Sequence, residues 1–171
     1  MSGLFSHILK AQAGQTLGAM ASFLKKAEAH AREAGVEDEV YLAARLSPDM
    51  FKMSQQVQVA CDICVRGGSR LAGVEPPSFP DTETTFAELS ARCDAANAYV
   101  QGLDDAALDA GETREVPIPT GPDSTMPGEG KFYLTNFVLP NLHFHAAMAY
   151  GLLRQQGVPL GKRDFLLPGG G

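Results

Sequence analysis

The sequence predicts an all-α protein built as a bundle of four long helices. Four long segments repeat apolar residues at steps of three and four, the pattern of amphipathic helices that share one core. Proline, glycine and helix-capping residues separate these segments, and no regular internal repeat is present. The chain has 171 residues, 44% of them hydrophobic, which is enough to bury a core without disulfides or metals. We therefore expect one domain over residues 1–171.

The first long helix is predicted from about Leu4 to Ala34, with Gly35 as the residue that ends it. The second is predicted to begin at Ser47-Pro48-Asp49, since serine is a favoured N-cap and proline a favoured first helical residue, and to end at Gly73. Its apolar positions recur at helical spacing and predict a buried stripe: Met50, Ser54, Val57, Cys61, Cys64, Gly68 and Leu71.

The third long helix is predicted to begin after Thr85, because Thr85 and Glu88 match a capping box, and to run to about Leu103. Residues 112–130 are rich in proline and glycine and contain the alternating fragment REVPIP. This long excursion is interpreted as a non-helical connection, with a small β-hairpin as one form it could take.

The last long helix is predicted over about Lys131 to Gln156, with a disordered tail at about residues 168–171. Pro140 lies inside this helix, where it removes one backbone hydrogen bond and crowds the preceding turn. We expect a kink, or a break into two helices, around Leu139.

Two polar residues interrupt the buried stripe of the last helix. Asn141 and His145 lie one turn apart where apolar residues are expected, and Gln58 and Asp62 are spaced in the same way beside the stripe of the second helix. A bundle core could bring the two pairs together. They would then either satisfy each other's hydrogen bonds, with Asn141 capping backbone groups freed by Pro140, or line a metal or small-molecule pocket.

Charge, cysteine content and motifs restrict the classes of function. A net charge of −6 without basic runs disfavours nucleic acid and anionic membranes as partners, and no apolar run is long enough to span a bilayer. Three cysteines favour reduced thiols and a cytoplasmic protein. Cys61, Cys64 and Cys93 fall on predicted core stripes, so they are interpreted as small buried hydrophobes, with redox or metal chemistry as the alternative. Signatures of hydrolases, kinases, dehydrogenases and zincins are absent from the sequence.

Three segments resemble an uncharacterised bacterial family that is assigned to the DinB/YfiT-like bundle superfamily: LSPDMFKMSQQVQ, LAGVEPPSFPDTETTFAEL and LPNLHFHAAMAYGLLRQQGVPLGKRDF. The resemblance covers almost the whole chain. It implies an up-down-down-up four-helix bundle, often dimeric. It also implies relatives that bind a divalent metal and include thiol-dependent transferases and isomerases.

In those relatives the metal ligands are one histidine from the second helix and an H-x-x-x-H pair from the last. Matching HAAMAYGLLRQQG to that pattern places His145 on the last histidine, Asn141 on the first of the pair, and Gln58, less certainly Gln55, at the second-helix position. One ligand of three is retained, and neutral amides are weaker donors than imidazole. The resemblance therefore implies a degenerate metal site.

Three functions follow as hypotheses. The leading one is a pocket for a small molecule or a weakly held ion, in which His145 is the main polar anchor, Asn141 and Gln58 orient the ligand and Asp62 lies behind them. The second is a divergent metal- and thiol-dependent transferase. The third is a non-catalytic homo-oligomer or interaction protein. No cofactor is assigned, and the candidate ions are zinc, nickel, iron and manganese. The expected partners are a second copy of the chain and a small molecule, and whether the protein is an enzyme stays open.

Overall fold

The structure is a computed structural model and describes residues 3–169. The secondary-structure elements follow in chain order: α1 Leu4–Ala34, α2 Asp38–Leu42, α3 Met53–Ala72, α4 Phe86–Gly102, α5 Asp105–Ala110, β1 Glu115–Gly121, β2 Ser124–Glu129, α6 Gly130–Tyr133, a π-helical turn Leu134–Val138, α7 Leu139–Gln155 and α8 Lys162–Leu166. Apolar side chains from all four long helices and from β1 form one buried core.

The four long helices α1, α3, α4 and α7 run up, down, down and up. The directions follow from the order of the contacts along each pair, since residue numbers rise together in parallel helices and oppositely in antiparallel ones. α1 and α4 are antiparallel, α3 and α4 are parallel, and α3 and α7 are antiparallel. Between α1 and α4 the contacts are Ala21 with Ser90 and Lys10 with Gln101. Between α3 and α4 they are Asp62 with Arg92 and Ser69 with Tyr99. Between α3 and the last long helix they are Gln56 with His145 and Gly67 with Val138. The predicted topology is confirmed.

The predicted start of the second long helix is wrong by five residues. The backbone N–H of Met50 donates to the carbonyl of Ser47 at 3.0 Å, and the Ser47 hydroxyl bonds to the Asp49 carboxylate. These bonds close a tight turn, in which proline at the second position is as favourable as at a helix start. The helix α3 begins only at Met53.

The last long helix is interrupted near Pro140 by a change of helix type, where the sequence predicted a kink or a break into two helices. The interruption is the π-helical turn, in which the N–H of Leu139 donates to the carbonyl of Leu134, one residue further back than in an α-helix. Pro140 then falls in the first turn of α7, where its missing N–H costs little. The π-helical turn thus allows the chain to include Pro140 without ending the helix.

The excursion before α6 is the small β-hairpin that the alternating fragment favoured. Val116 and Ile118 on β1 are buried in the core. Pro117 lies opposite Pro127, and two residues without N–H groups can only form a pair that exchanges no backbone hydrogen bonds. Prolines therefore remove donors from both outer edges, which protects the hairpin against pairing with another strand.

The end of the described chain lies along α1. Pro168 packs beside Gly18, and the backbone N–H of Gly169 donates to the Ser22 hydroxyl at 3.0 Å. The rest of the predicted disordered tail, residues 170–171, lies outside the described residues. Within residues 3–169, no helix is both long and apolar enough to cross a membrane.

Candidate functional site

His145 lies on α7 with its imidazole against α3 and is 9% exposed. Its Nδ1 is 2.7 Å from Oε1 of Gln56. The amide nitrogen of Gln56 donates to the carbonyl of Phe51 at 3.1 Å, so the amide oxygen faces the imidazole and accepts from it. The proton of a neutral His145 is therefore on Nδ1, and Nε2 carries a lone pair. Among residues 3–169, no group forms a hydrogen bond with that nitrogen.

Two exposed aromatic rings flank the imidazole. The Phe51 ring is stacked on it at a centroid distance of 6.2 Å, and the Phe144 ring meets it edge-on at 5.1 Å. Burial lowers the pKa of His145 below its ordinary value of 6.5, because an imidazolium loses hydration there. The site consists of a neutral hydrogen-bond acceptor between two apolar surfaces.

Asn141 lies one turn before His145 and is half-buried. Its amide nitrogen donates to the carbonyl of Phe137 at 2.6 Å. Phe137 belongs to the π-helical turn, where the regular helical bonds are shifted. The Asn141 side chain therefore bonds to nearby backbone, but to the carbonyl of Phe137 and not to that of Asn136, the group that Pro140 would free in an α-helix.

Gln58 and Asp62 belong to a different cluster, centred on Arg92 of α4. The Arg92 side chain is 2% exposed and lies 2.6 Å from Asp62, 2.9 Å from Asp81 and 2.8 Å from Glu83. The amide nitrogen of Gln58 donates to the second oxygen of Glu83 at 2.8 Å. Burial alone would raise the pKa of Glu83, but these hydrogen bonds from Arg92 and Gln58 lower it below its usual value. The cluster fastens the chain before α4 to α3 and α4.

The prediction that Gln58 and Asp62 meet Asn141 and His145 is wrong. Residues two apart on a helix point in nearly opposite directions, and it is Gln56, two residues before Gln58, that faces His145.

Sequence reasoning missed three contributors to the site, Gln56, Phe51 and Phe144. Gln56 is three residues after Met53 and four before Ala60, both buried, so the spacing contained a signal. Phe51 and Phe144 are exposed, and no sequence pattern indicated that they flank His145.

The residues present do not fit a resident divalent metal. The part of the chain that the structure describes contains no group of three or more His, Cys, Asp or Glu side chains able to hold an ion. At the positions matched to the missing histidines, Asn141 bonds to backbone and Gln58 bonds to Glu83. His145 alone would supply one strong ligand, where stable zinc sites use three or four.

The three cysteines are free thiols within the core, as predicted. The sulfur atoms of Cys61 and Cys93 are 3.7 Å apart. Burial raises the pKa of Cys64, and the contact with Cys61, followed by burial, raises that of Cys93. Cys64 and Cys93 therefore stay protonated at neutral pH, so they are poor nucleophiles.

The fold defines a DinB-like four-helix bundle protein. A crystal structure of a DinB family member protein from Shewanella denitrificans is similar to this chain, with a TM-score of 0.87 and 34% sequence identity over 96% of this chain and 92% of that chain. The chain also matches the family model "Domain of unknown function (DUF1993)" over residues 7–166 and belongs to that family. No curated protein matches the sequence.

Proposed function

We propose that the protein binds a small organic molecule at His145 without a resident metal ion. The observation that carries the proposal is the unpaired Nε2 lone pair, held by Gln56 between Phe51 and Phe144. A ligand that fits has an apolar or aromatic body and one hydrogen-bond donor. The alternative of a weakly held ion is supported only by His145 itself, since Asn141 and Gln58 have other partners.

The divergent transferase receives less support from the structure. That chemistry requires a bound divalent ion and a reactive thiol. The donor set around His145 is incomplete among the described residues. The three cysteines are buried, and the raised pKa values of Cys64 and Cys93 keep these two thiols protonated. Free thiols agree with a cytoplasmic location, which we propose as well.

Phenol and anisole form a matched pair of probes for this site. Both have an aromatic ring, but only phenol can donate a hydrogen bond to Nε2. We expect phenol to bind the protein about tenfold more tightly than anisole, the value of one good hydrogen bond. Titrations followed by NMR would measure both affinities, before and after treatment with a chelator.

Matched histidine variants locate the binding. His145→Ala should remove the preference for phenol, while His143→Ala, on the same helix and half-buried, should retain it. Chelation should change neither result. Equal preference in the wild type and in His145→Ala would refute the proposed site, and loss of binding on chelation would favour a metal.

The exposed apolar residues around the same site favour a second candidate, a homodimer interface. Leu46, Phe51 and Phe144 are large and exposed, and a cavity of about 220 Å³ near them is lined by Leu46, Met148 and Leu152 among others. Exposed apolar groups of this size often mark interfaces. Sedimentation equilibrium should show a dimer that Phe144→Ser weakens, with exposed Phe132→Ser as the control. A monomeric wild type at all concentrations would exclude the dimer.

A further inference from the structure

A separate cavity lies on the other side of α3 from His145. It has a volume of about 270 Å³, is open to solvent on one side, and is bordered by α2, the first turn of α3 and the chain just before α4. Ser54 lines it, two residues from Gln56 and therefore on the opposite helix face. The size suits a molecule smaller than a typical drug. The lining residues that bear on its chemistry are Glu39, Leu42, Ala43, Lys52, Ser54 and Glu83.

Ser54 is 2% exposed, and its hydroxyl forms no hydrogen bond with any of residues 3–169. A hydroxyl without a protein partner needs water or a ligand to complete its hydrogen bonds. Because Ser54 lines the cavity, the hydroxyl is available to a molecule bound there.

The same residue stands in the first turn of the 20-residue helix α3, where the amide oxygen of Gln55 accepts from the backbone N–H of Lys52 at 3.2 Å. The N–H of Met53 donates to the carbonyl of Ala44 at 2.8 Å. In the described part of the chain, the N–H groups of Ser54 and Gln55 have no such acceptor. Unpaired amides and the positive end of the helix dipole favour a carboxylate or another anion.

The charges around the cavity have both signs. Lys52 and Glu39 line it, and neither forms an ion pair with any residue that the structure describes. Glu83 pairs with Arg92 at 2.8 Å, but Arg92 also pairs with Asp62 and Asp81, so it neutralises Glu83 only in part. A simple anion would face the carboxylate of Glu39, and a simple cation would face Lys52 and the start of α3. A molecule with both charges avoids either repulsion.

We propose that this cavity binds a small zwitterion of the α-amino acid class. The carboxylate is placed at Ser54 and Lys52, the ammonium group at Glu39, and a short apolar side chain against Leu42 and Ala43. The proposal uses residues distinct from the His145 site, so the two can fail independently.

Three probes of one shape test the charge requirement: L-leucine, 4-methylpentanoate, which lacks the ammonium group, and 3-methylbutylamine, which lacks the carboxylate. Calorimetric titration should show L-leucine binding about tenfold more tightly than either analogue, since each analogue loses one charge-assisted contact. L-Alanine should bind more weakly than L-leucine, because it makes less apolar contact. No heat with L-leucine and L-alanine at millimolar concentration would overturn the proposal, and so would equal affinity for 4-methylpentanoate, which would indicate a plain anion site.

Variants assign the two charged ends. Lys52→Met and Ser54→Ala should each weaken L-leucine binding about tenfold, and Glu39→Gln should do the same while leaving 4-methylpentanoate binding unchanged or stronger. The exposed residues Lys162 and Glu115 give matched controls, and Lys162→Met and Glu115→Gln should bind like the wild type. Circular dichroism verifies that each variant is folded. His145→Ala should bind L-leucine normally. If Lys52→Met and Glu39→Gln both bind like their controls, the site is wrong.

Discussion

Replacement of Arg92 by methionine tests whether the cluster around Gln58 and Asp62 is structural. The substitution keeps an unbranched apolar side chain but removes a guanidinium that is 2% exposed and lies within 3 Å of Asp62, Asp81 and Glu83. Breaking a buried ion pair by removing one partner costs about 3–5 kcal/mol, because the remaining charge stays buried. Asp81 is 60% exposed and can be hydrated, so its share is small. We expect a loss of about 3 kcal/mol.

Urea denaturation followed by circular dichroism measures this loss as a shift of the midpoint at constant slope. In a chain of this size it corresponds to a fall in Tm of about 6–12 °C. The control is Arg66→Met, because Arg66 also pairs with Asp62 but is 70% exposed. That variant should lose less than about 1 kcal/mol. Equal losses for the two variants would refute the reasoning.

A second substitution distinguishes the loss of the Arg92–Glu83 attraction from the cost of leaving the Glu83 carboxylate buried without a partner. Adding Glu83→Gln to Arg92→Met removes the carboxylate left without its partner, so we expect part of the stability to return. The pKa of Glu83 is lowered in the folded wild type. The stabilisation is therefore present above the ordinary carboxyl pKa and is lost as the pH falls towards the folded value. The difference between Arg92→Met and wild type should shrink at acid pH.

Three further perturbations test other parts of the structure. Burial lowers the pKa of His145, so the unfolded chain binds more protons than the folded chain below pH 6.5, and the free energy of unfolding should fall there. Denaturation at a series of pH values should show a smaller dependence of this free energy on pH for His145→Gln, and an unchanged dependence would contradict the reasoning. Thr85→Ala removes the side-chain acceptor at the start of α4 and should cost about 1 kcal/mol, whereas Thr85→Ser should cost little; equal melting of the two variants would contradict the cap. A Cβ at Gly130 would lie 1.9 Å from the Gly111 carbonyl oxygen, so Gly130→Ala should destabilise the protein by about 3 kcal/mol. Gly151 has open space around it, so Gly151→Ala should stabilise the helix by about 0.5–1 kcal/mol. Thermal denaturation of the two variants tests both values.

The sequence predicted those parts of the fold that are determined by residues close together in the chain. The capping box at Thr85 and Glu88 is formed as the spacing indicated, and Gly35 and Gly73 end their helices in the left-handed conformation. Both features act within four or five residues, so no distant contact is needed to specify them. The interruption near Pro140 belongs to the same group, because its cause is the missing N–H of one residue.

The start of α3 and the partner of His145 could not be predicted in that way. Ser47-Pro48-Asp49 suits a turn as well as a helix start, and the choice depends on the bond from the N–H of Met53 to the carbonyl of Ala44. The rotation of α3 in the bundle decides whether Gln56 or Gln58 faces α7. That rotation is set by packing along the whole helix, such as the close approach of Gly67 to Val138.

The helix α3 keeps the polar groups of this bundle apart. Gln56 faces His145, whereas Gln58 and Asp62 face the cluster around Arg92. A metal centre needs several strong donors converging on one point, and in the described chain this helix supplies an amide that already holds the imidazole. The same amide that is a poor metal ligand fixes the proton on Nδ1 and leaves Nε2 as an acceptor. Gln56 therefore holds His145 by a hydrogen bond where a metal centre would need a second strong ligand. This is the physical basis for favouring an organic ligand over a metal ion at His145.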